Sequence, residues 1–100
     1  MPQSTTPTYF PMHIGGADRP SASGRTYLSL NPYTGEGWAE VPDGNAEDVD
    51  AAVAAARLAL QGEWGSLTPT RRGALLHRLG ELIARDHAYL AELETRDNGK

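Results

Sequence analysis

The sequence predicts an α/β chain in which short antiparallel strands come first and two or three helices follow. Residues 12–44 form short runs of alternating or β-prone character, broken by Gly, Pro, Asn and Asp. Residues 45–100 carry apolar side chains at helical spacing. Each of the two clearest helical runs opens on a good capping residue, Asn45 and Thr68. Residues 1–11, with three Pro, three Thr and no apolar period, read as a flexible arm ahead of both zones.

Taken in order, Met12-His13-Ile14 is a strand that runs into Gly15-Gly16, and Pro20, Ser21, Ser23 and Gly24 break the chain beyond it. From Arg25 to Leu30 the residues alternate, with Thr26, Leu28 and Leu30 on one face and Tyr27 and Ser29 on the other. Asn31-Pro32-Tyr33-Thr34-Gly35 is a turn: Asn bonds to the backbone ahead, Pro presets φ, and Gly tolerates a positive φ at the exit. Glu36 to Val41 then returns antiparallel, and Pro42-Asp43-Gly44 closes the strand zone.

The first helix starts after Asn45, with Glu47, Asp48 and Asp50 near its positive end. Val49, Ala52, Val53, Ala56 and Leu60 make one apolar stripe, and Gly62 ends the helix. The second has Thr68 as N-cap and Pro69 at its first position, where the missing N–H costs nothing; Leu75, Leu76, Leu79, Leu82 and Ile83 form its stripe. Asp86 is expected to cap a third helix in which Tyr89, Leu90 and Leu93 face the core, although the spacing equally allows one uninterrupted helix.

Composition narrows the functional classes. Fourteen of the 39 hydrophobic residues are Ala, so the supply of large core side chains is thin. The net charge is −4 with both signs mixed along the chain, which argues against capture of a nucleic-acid backbone. There is no Cys, hence no disulfide, thiolate zinc site or thiol nucleophile within these residues. No apolar run approaches the roughly 20 residues that span a bilayer, and no signal peptide is evident. Eight Arg against one Lys, with many Ala and Gly, points to a GC-rich bacterial source.

Candidate chemical residues are few. His13, His77 and His87 lack the spacing of a helical metal pair and read as surface or packing residues. Gly15-Gly16 and Asn98-Gly99 are turn material, without a phosphate-binding glycine pattern around them. Trp38 and Trp64 read as packing anchors. Arg71 and Arg72 stand in the first turn of a helix, where the dipole disfavours cations, so a carboxylate partner elsewhere in a larger structure is expected.

Four landmarks go further together: Asn31-Pro32-Tyr33-Thr34-Gly35, Glu47-Asp48-Val49 through Ala56, Trp64 through Arg72, and Asp97-Asn98-Gly99-Lys100. Their order and spacing resemble the amino-terminal part of the aldehyde dehydrogenase superfamily, over residues 12–100. The resemblance implies a peripheral part of an incomplete, Rossmann-like coenzyme-binding domain. It implies a parent enzyme that oxidises an aldehyde to a carboxylic acid with NAD or NADP. A cysteine attacks the carbonyl, an asparagine side chain and a backbone N–H steady the oxyanion, and a glutamate-activated water hydrolyses the thioester. All of those catalytic residues are expected beyond Lys100, leaving no catalytic or coenzyme-binding residue here and the segment alone inactive. A cytoplasmic homodimer or homotetramer without nucleic-acid or membrane partners is implied. The resemblance also implies a monovalent cation held partly by the backbone carbonyls of Ser29 and Leu30; carbonyl oxygens suit a hard cation. The competing expectation is a stand-alone helical interaction module whose Ala-rich stripe binds a partner.

Overall fold

The computed structural model describes residues 6–100. Five short strands precede four helices: β1 (Thr8–Tyr9), β2 (Met12–Ile14), β3 (Ala17–Arg19), β4 (Thr26–Leu30), β5 (Gly37–Pro42), α1 (Ala46–Gln61), α2 (Glu63–Ser66), α3 (Pro69–Arg85) and α4 (His87–Asn98). The expected strand zone and helical zone therefore both form. The strands build two separate sheets, one of order β1-β5-β4 and a hairpin of β2 and β3.

Two strands depart from the expectation. The arm over 1–11 is corrected in its second half, because Thr8 and Tyr9 pair in parallel with Ala39 and Glu40 of β5, and the Phe10 N–H continues the ladder to the Glu40 carbonyl at 2.9 Å. An open strand edge pairs with whatever extended segment reaches it, and Pro7 and Pro11 confine that segment to a short stretch. Residues 1–5 of the expected arm lie outside the described residues. The second departure is β3, which pairs antiparallel with β2 in the register Met12↔Arg19, His13↔Asp18 and Ile14↔Ala17. Gly15 and Gly16 both take positive φ (63° and 82°), as a two-residue hairpin of the primed type requires.

The Asn31–Gly35 turn forms as the residue types dictate. The Asn31 carboxamide accepts from Tyr33 N–H at 2.9 Å, the Asn31 carbonyl accepts from Gly35 N–H at 2.7 Å, and Gly35 has φ 74°. It returns the chain into β5 opposite β4. Asn45 caps α1 by accepting from the Glu47 and Asp48 N–H groups, while Asp48 reaches back to the Asn45 N–H at 3.0 Å. That reciprocal pair satisfies two helix-end donors. Asp48 is nearly fully buried because its other oxygen accepts from Ala22 N–H at 2.9 Å, tying the loop after β3 to the helix start.

The helix faces pack unevenly within this chain, and of the α4 residues expected to face the core Tyr89 and Leu90 do not. On α1 the side that packs is not the Val49–Leu60 stripe: Asp48 is buried and Ala51 and Ala55 are half-buried, with Ala55 under the Gly15 turn. Val49, Val53 and Leu60 stand open at 62%, 45% and 67% exposure. Small Ala side chains let the hairpin approach, so the narrow face packs while the bulky one stays open. On α3, Leu75, Leu76, Leu79 and Ile83 are likewise exposed, leaving Leu82 half-buried. On α4, Tyr89 and Leu90 are exposed and only Leu93 is half-buried.

Asp86 stands at the N-cap position of a separate helix, as one of the two expectations had it, but without a capping side chain. The helical bonds Asp86 N–H to Leu82 carbonyl and Leu90 N–H to Asp86 carbonyl run through it, yet its backbone leaves the α region (φ −99°, ψ 18°) and its side chain caps nothing. The carboxylate instead pairs with Arg85 at 3.0–3.1 Å.

Accessible surface totals 7804 Å², against about 5500 Å² for a compact chain of this mass. The Cα radius of gyration is 17.2 Å, where about 13 Å is usual for 100 residues. Among the described residues the buried hydrophobic set is Ala39 alone.

Candidate functional site

The corner where the β4–β5 turn meets the end of α4 brings together residues far apart in sequence. Ser29, half-buried on β4, donates its hydroxyl to the Asp97 carboxylate. Gly99 ends α4 in the left-handed region (φ 77°), and a Cβ built there would stand 3.0 Å from the Pro32 ring. Lys100 N–H then closes on the Asn98 side chain at 2.9 Å. The Asn31–Gly35 turn and the Asp97–Lys100 ending, 60-odd positions apart in sequence, are thus one structure in space.

Ser29 and Leu30 sit at an irregularity. Ser29 pairs with Ala39 and Leu30 with Gly37, so β5 spends one residue more than β4 and Trp38 is the extra one. This is the two-against-one count of a β-bulge. The next amide, Asn31 N–H, donates to the Glu36 carbonyl at 2.8 Å on the β5 side. A trans peptide sets its C=O opposite to its N–H, so the Leu30 carbonyl points away from β5, off the open edge of β4. The Ser29 hydroxyl is engaged with the Asp97 carboxylate. Successive carbonyls of an extended strand point to opposite sides, so the Ser29 carbonyl, paired in register with Ala39, is on the β5 side and the structure does not bring the two expected carbonyls together.

Asp97 was not among the residues expected at this site. A carboxylate three residues from the end of the chain carries no local signal of its own, and only the contact across the fold reveals it. Between the sheet and α4 runs a groove of about 420 Å³ lined by Phe10, Tyr27, Trp38, Val41 and Leu93, with Ser29 and Asp97 at its polar side.

The remaining candidates have structural places. His13 pairs with Asp18 across the exposed hairpin at 2.8 Å, and His87 contacts the Ala84 carbonyl at 2.9 Å. Among the described residues no group of three or more His, Cys, Asp or Glu is arranged to hold a metal ion. Trp38 packs edge-on to Phe10 at 5.9 Å. Arg72 lies 6.0 Å over the Trp64 ring and donates to the Trp64 carbonyl at 3.4 Å. Among the described residues no helix is long and apolar enough to cross a membrane.

With the geometry in hand, comparison with known proteins is decisive. The sequence profile of the aldehyde dehydrogenase family matches residues 19–100. This chain belongs to the aldehyde dehydrogenase family. It is 50% identical over 82 residues to human mitochondrial aldehyde dehydrogenase, covering 80% of this chain and 16% of that protein. Its fold matches an aldehyde dehydrogenase from Bacillus cereus with TM-score 0.88 at 40% identity, covering 90% of this chain and 18% of the other. An NAD-dependent aldehyde dehydrogenase from Sinorhizobium meliloti matches with TM-score 0.89 at 32% identity, covering 96% and 20%. The chain thus spans a fifth or less of the length of these relatives, and its α/β arrangement is that of the amino-terminal segment of an aldehyde dehydrogenase.

Proposed function

We propose that this chain is the amino-terminal scaffold of an NAD- or NADP-dependent aldehyde dehydrogenase that oxidises an aldehyde to a carboxylic acid through a cysteine thioester. The observation that carries the proposal is the match over residues 19–100 to the aldehyde dehydrogenase family. NAD is the first coenzyme to test, since the Sinorhizobium meliloti neighbour is described as NAD-dependent. The chain contains no Cys, so the nucleophile comes from residues outside it. A soluble, cytoplasmic homodimer or homotetramer, without nucleic-acid or membrane partners, is part of the same proposal.

Within that enzyme the corner of β4, the Asn31–Gly35 turn and α4 holds a monovalent cation through the Leu30 carbonyl. Asp97 supplies the negative charge. Such an ion would tie the strand end to the helix end and leave the chemistry to distant residues.

The experiment compares residues 1–100 with the longer polypeptide that contains them, following reduction of NAD and of NADP in the presence of aldehydes. The short chain is expected to be silent and the longer one active. Coenzyme reduction by the purified short chain, above a contamination control, would overturn the scaffold reading. No activity from the longer polypeptide with any aldehyde would overturn the enzyme reading.

A further inference from the structure

The chain has three asparagines, and the residue that follows each one sets its chemical fate. An asparagine deamidates when the backbone nitrogen of the next residue attacks the side-chain carbonyl carbon and closes a five-membered ring. Asn31 is followed by Pro32, which has no N–H to give up. Asn45 is followed by Ala46, whose Cβ crowds the attack. Asn98 is followed by Gly99, which has no Cβ, and both residues are exposed.

The end of α4 sets this reaction up and leaves one bond in its way. The Asn98 side-chain oxygen already accepts from the Lys100 N–H at 2.9 Å. As a nitrogen adds to the carbon, negative charge builds on that oxygen, and a backbone N–H aimed at it steadies the charge. Asn45 has a like donor, the Glu47 N–H at 3.0 Å, so the Cβ of Ala46 is what separates the two sites. Against the reaction stands the Gly99 N–H, which donates to the Thr95 carbonyl at 2.8 Å and keeps the attacking nitrogen engaged in the helix. Helix ends are the first parts of a fold to open.

We propose that Asn98–Gly99 is a spontaneous deamidation site of the folded protein, gated by the single hydrogen bond from Gly99 to Thr95. When that bond opens, the Gly99 nitrogen passes its proton to solvent base and bonds to Asn98 Cγ. The Cγ–Nδ2 bond breaks, and the amide nitrogen takes a proton from solvent and leaves as ammonia. Water then opens the cyclic imide at either carbonyl. One product carries aspartate at position 98, and the other is isoaspartate, in which the main chain runs through the former side chain. The net change takes up water and releases ammonia, with nothing oxidised or reduced. Either product adds a negative charge next to Asp97, and isoaspartate also lengthens the main chain ahead of Gly99. Gly99 then cannot keep its bond to Thr95 together with its place beside Pro32. The modification is one-way and loosens the corner where Ser29 meets Asp97.

The test incubates the longer polypeptide that contains this chain, folded and in urea, at neutral and at mildly alkaline pH. Peptide mapping by mass spectrometry follows each asparagine, and chromatography separates isoaspartate from aspartate, so the readout is a mass and not an activity. In the folded protein Asn98 is expected to convert, faster at the higher pH, while Asn31 and Asn45 stay intact. The net worth of one backbone hydrogen bond corresponds to about two- to tenfold in an equilibrium, so urea should accelerate Asn98 by about that factor. Ser29→Ala cuts the tie between β4 and the end of α4 and should raise the folded-state rate severalfold. No conversion of Asn98 in the folded protein, or conversion no faster than that of Asn45, would overturn the site. Acceleration by urea of about a hundredfold or more would mean that the reaction waits for larger unfolding, which would overturn the single-bond gate. A wild-type rate in Ser29→Ala would overturn the link between the site and the corner.

Discussion

The corner at the end of α4 and the open faces of α1 and α3 end in opposite states. At the corner, Ser29 meets Asp97 and Pro32 meets Gly99, so the polar and backbone demands of one motif are answered by another within the same chain. On the helices, Val49, Val53 and Leu60 and then Leu75, Leu76, Leu79 and Ile83 face outward without cover. Exposed apolar surface of this kind marks an interaction surface. The difference separates two kinds of motif: one that satisfies itself, and one that is half of a contact whose other half lies elsewhere.

The largest effect should come from the uncovered side. Each buried Leu or Ile contributes about 1.5–3 kcal/mol, and these faces forgo most of that in residues 1–100. Urea unfolding of the short chain, followed by near-ultraviolet CD of Trp38 and Trp64, is expected to show a broad transition with weak fixed tertiary signal, or aggregation. A sharp monomeric transition would show the chain to be an autonomous domain and would break the comparison.

A second expectation concerns a contact that the chain completes itself. Asp48 accepts both the Ala22 and Asn45 N–H groups in a buried setting. Asp48→Ala removes a cap and strands two donors, a loss of about 2–3 kcal/mol. Amide exchange at Ala22 and Asn45 should accelerate sharply while exchange in the middle of α3 stays unchanged. Equal acceleration throughout would mean that the two regions are not separable.

Gly99 probes the corner more gently. Ala there must hold a positive φ, at a cost of about 1–2 kcal/mol, and its Cβ would press on Pro32 at 3.0 Å. In the longer polypeptide Gly99→Ala should lower stability and shift the NMR signals of Pro32 and Ser29. A neutral result would show that the turn and the helix end are merely adjacent.

How much of this was legible follows the range of the interactions. The Asn31–Gly35 turn, the Asn45 and Thr68 caps and the strand–helix order depend on neighbours a few positions apart, and each formed as read. Strand β3 was missed although Gly15-Gly16 signalled a hairpin, because Ala17-Asp18-Arg19 has no strand-like composition of its own. Strand β1 depends on reaching the edge of β5, and the Trp38 bulge on the register between two strands; neither has a local signature. The side of α1 that packs within this chain has no signal in the periodicity, which selects the bulkiest face. Here the bulky face awaits a partner, and the small one meets the hairpin. Asp97 needed the whole fold to find Ser29.

The smallest effect tests the joint between α3 and α4, which lies between the two regions. The hydrogen bond from Arg85 holds the Asp86 carboxyl below its ordinary value of 3.8, and the same pair raises the Arg85 guanidinium. A carboxyl with a lowered folded pKa favours the folded state above its ordinary pKa and loses that contribution as pH falls through the folded value. The pair is largely open to solvent, so salt screens it and its contribution is slight. Because the Asp86 side chain caps nothing, the α4 helix start does not depend on its charge. Acidification below the ordinary Asp range should therefore release the Arg85 side chain, visible in its guanidinium NMR signal, while α4 amide shifts stay in place. Asp86→Asn should abolish the pH response and likewise leave α4 intact. If α4 instead frays from His87 in acid or in that variant, the Asp86 charge is holding the helix. The joint would then belong with the self-satisfied corner and not with the open faces.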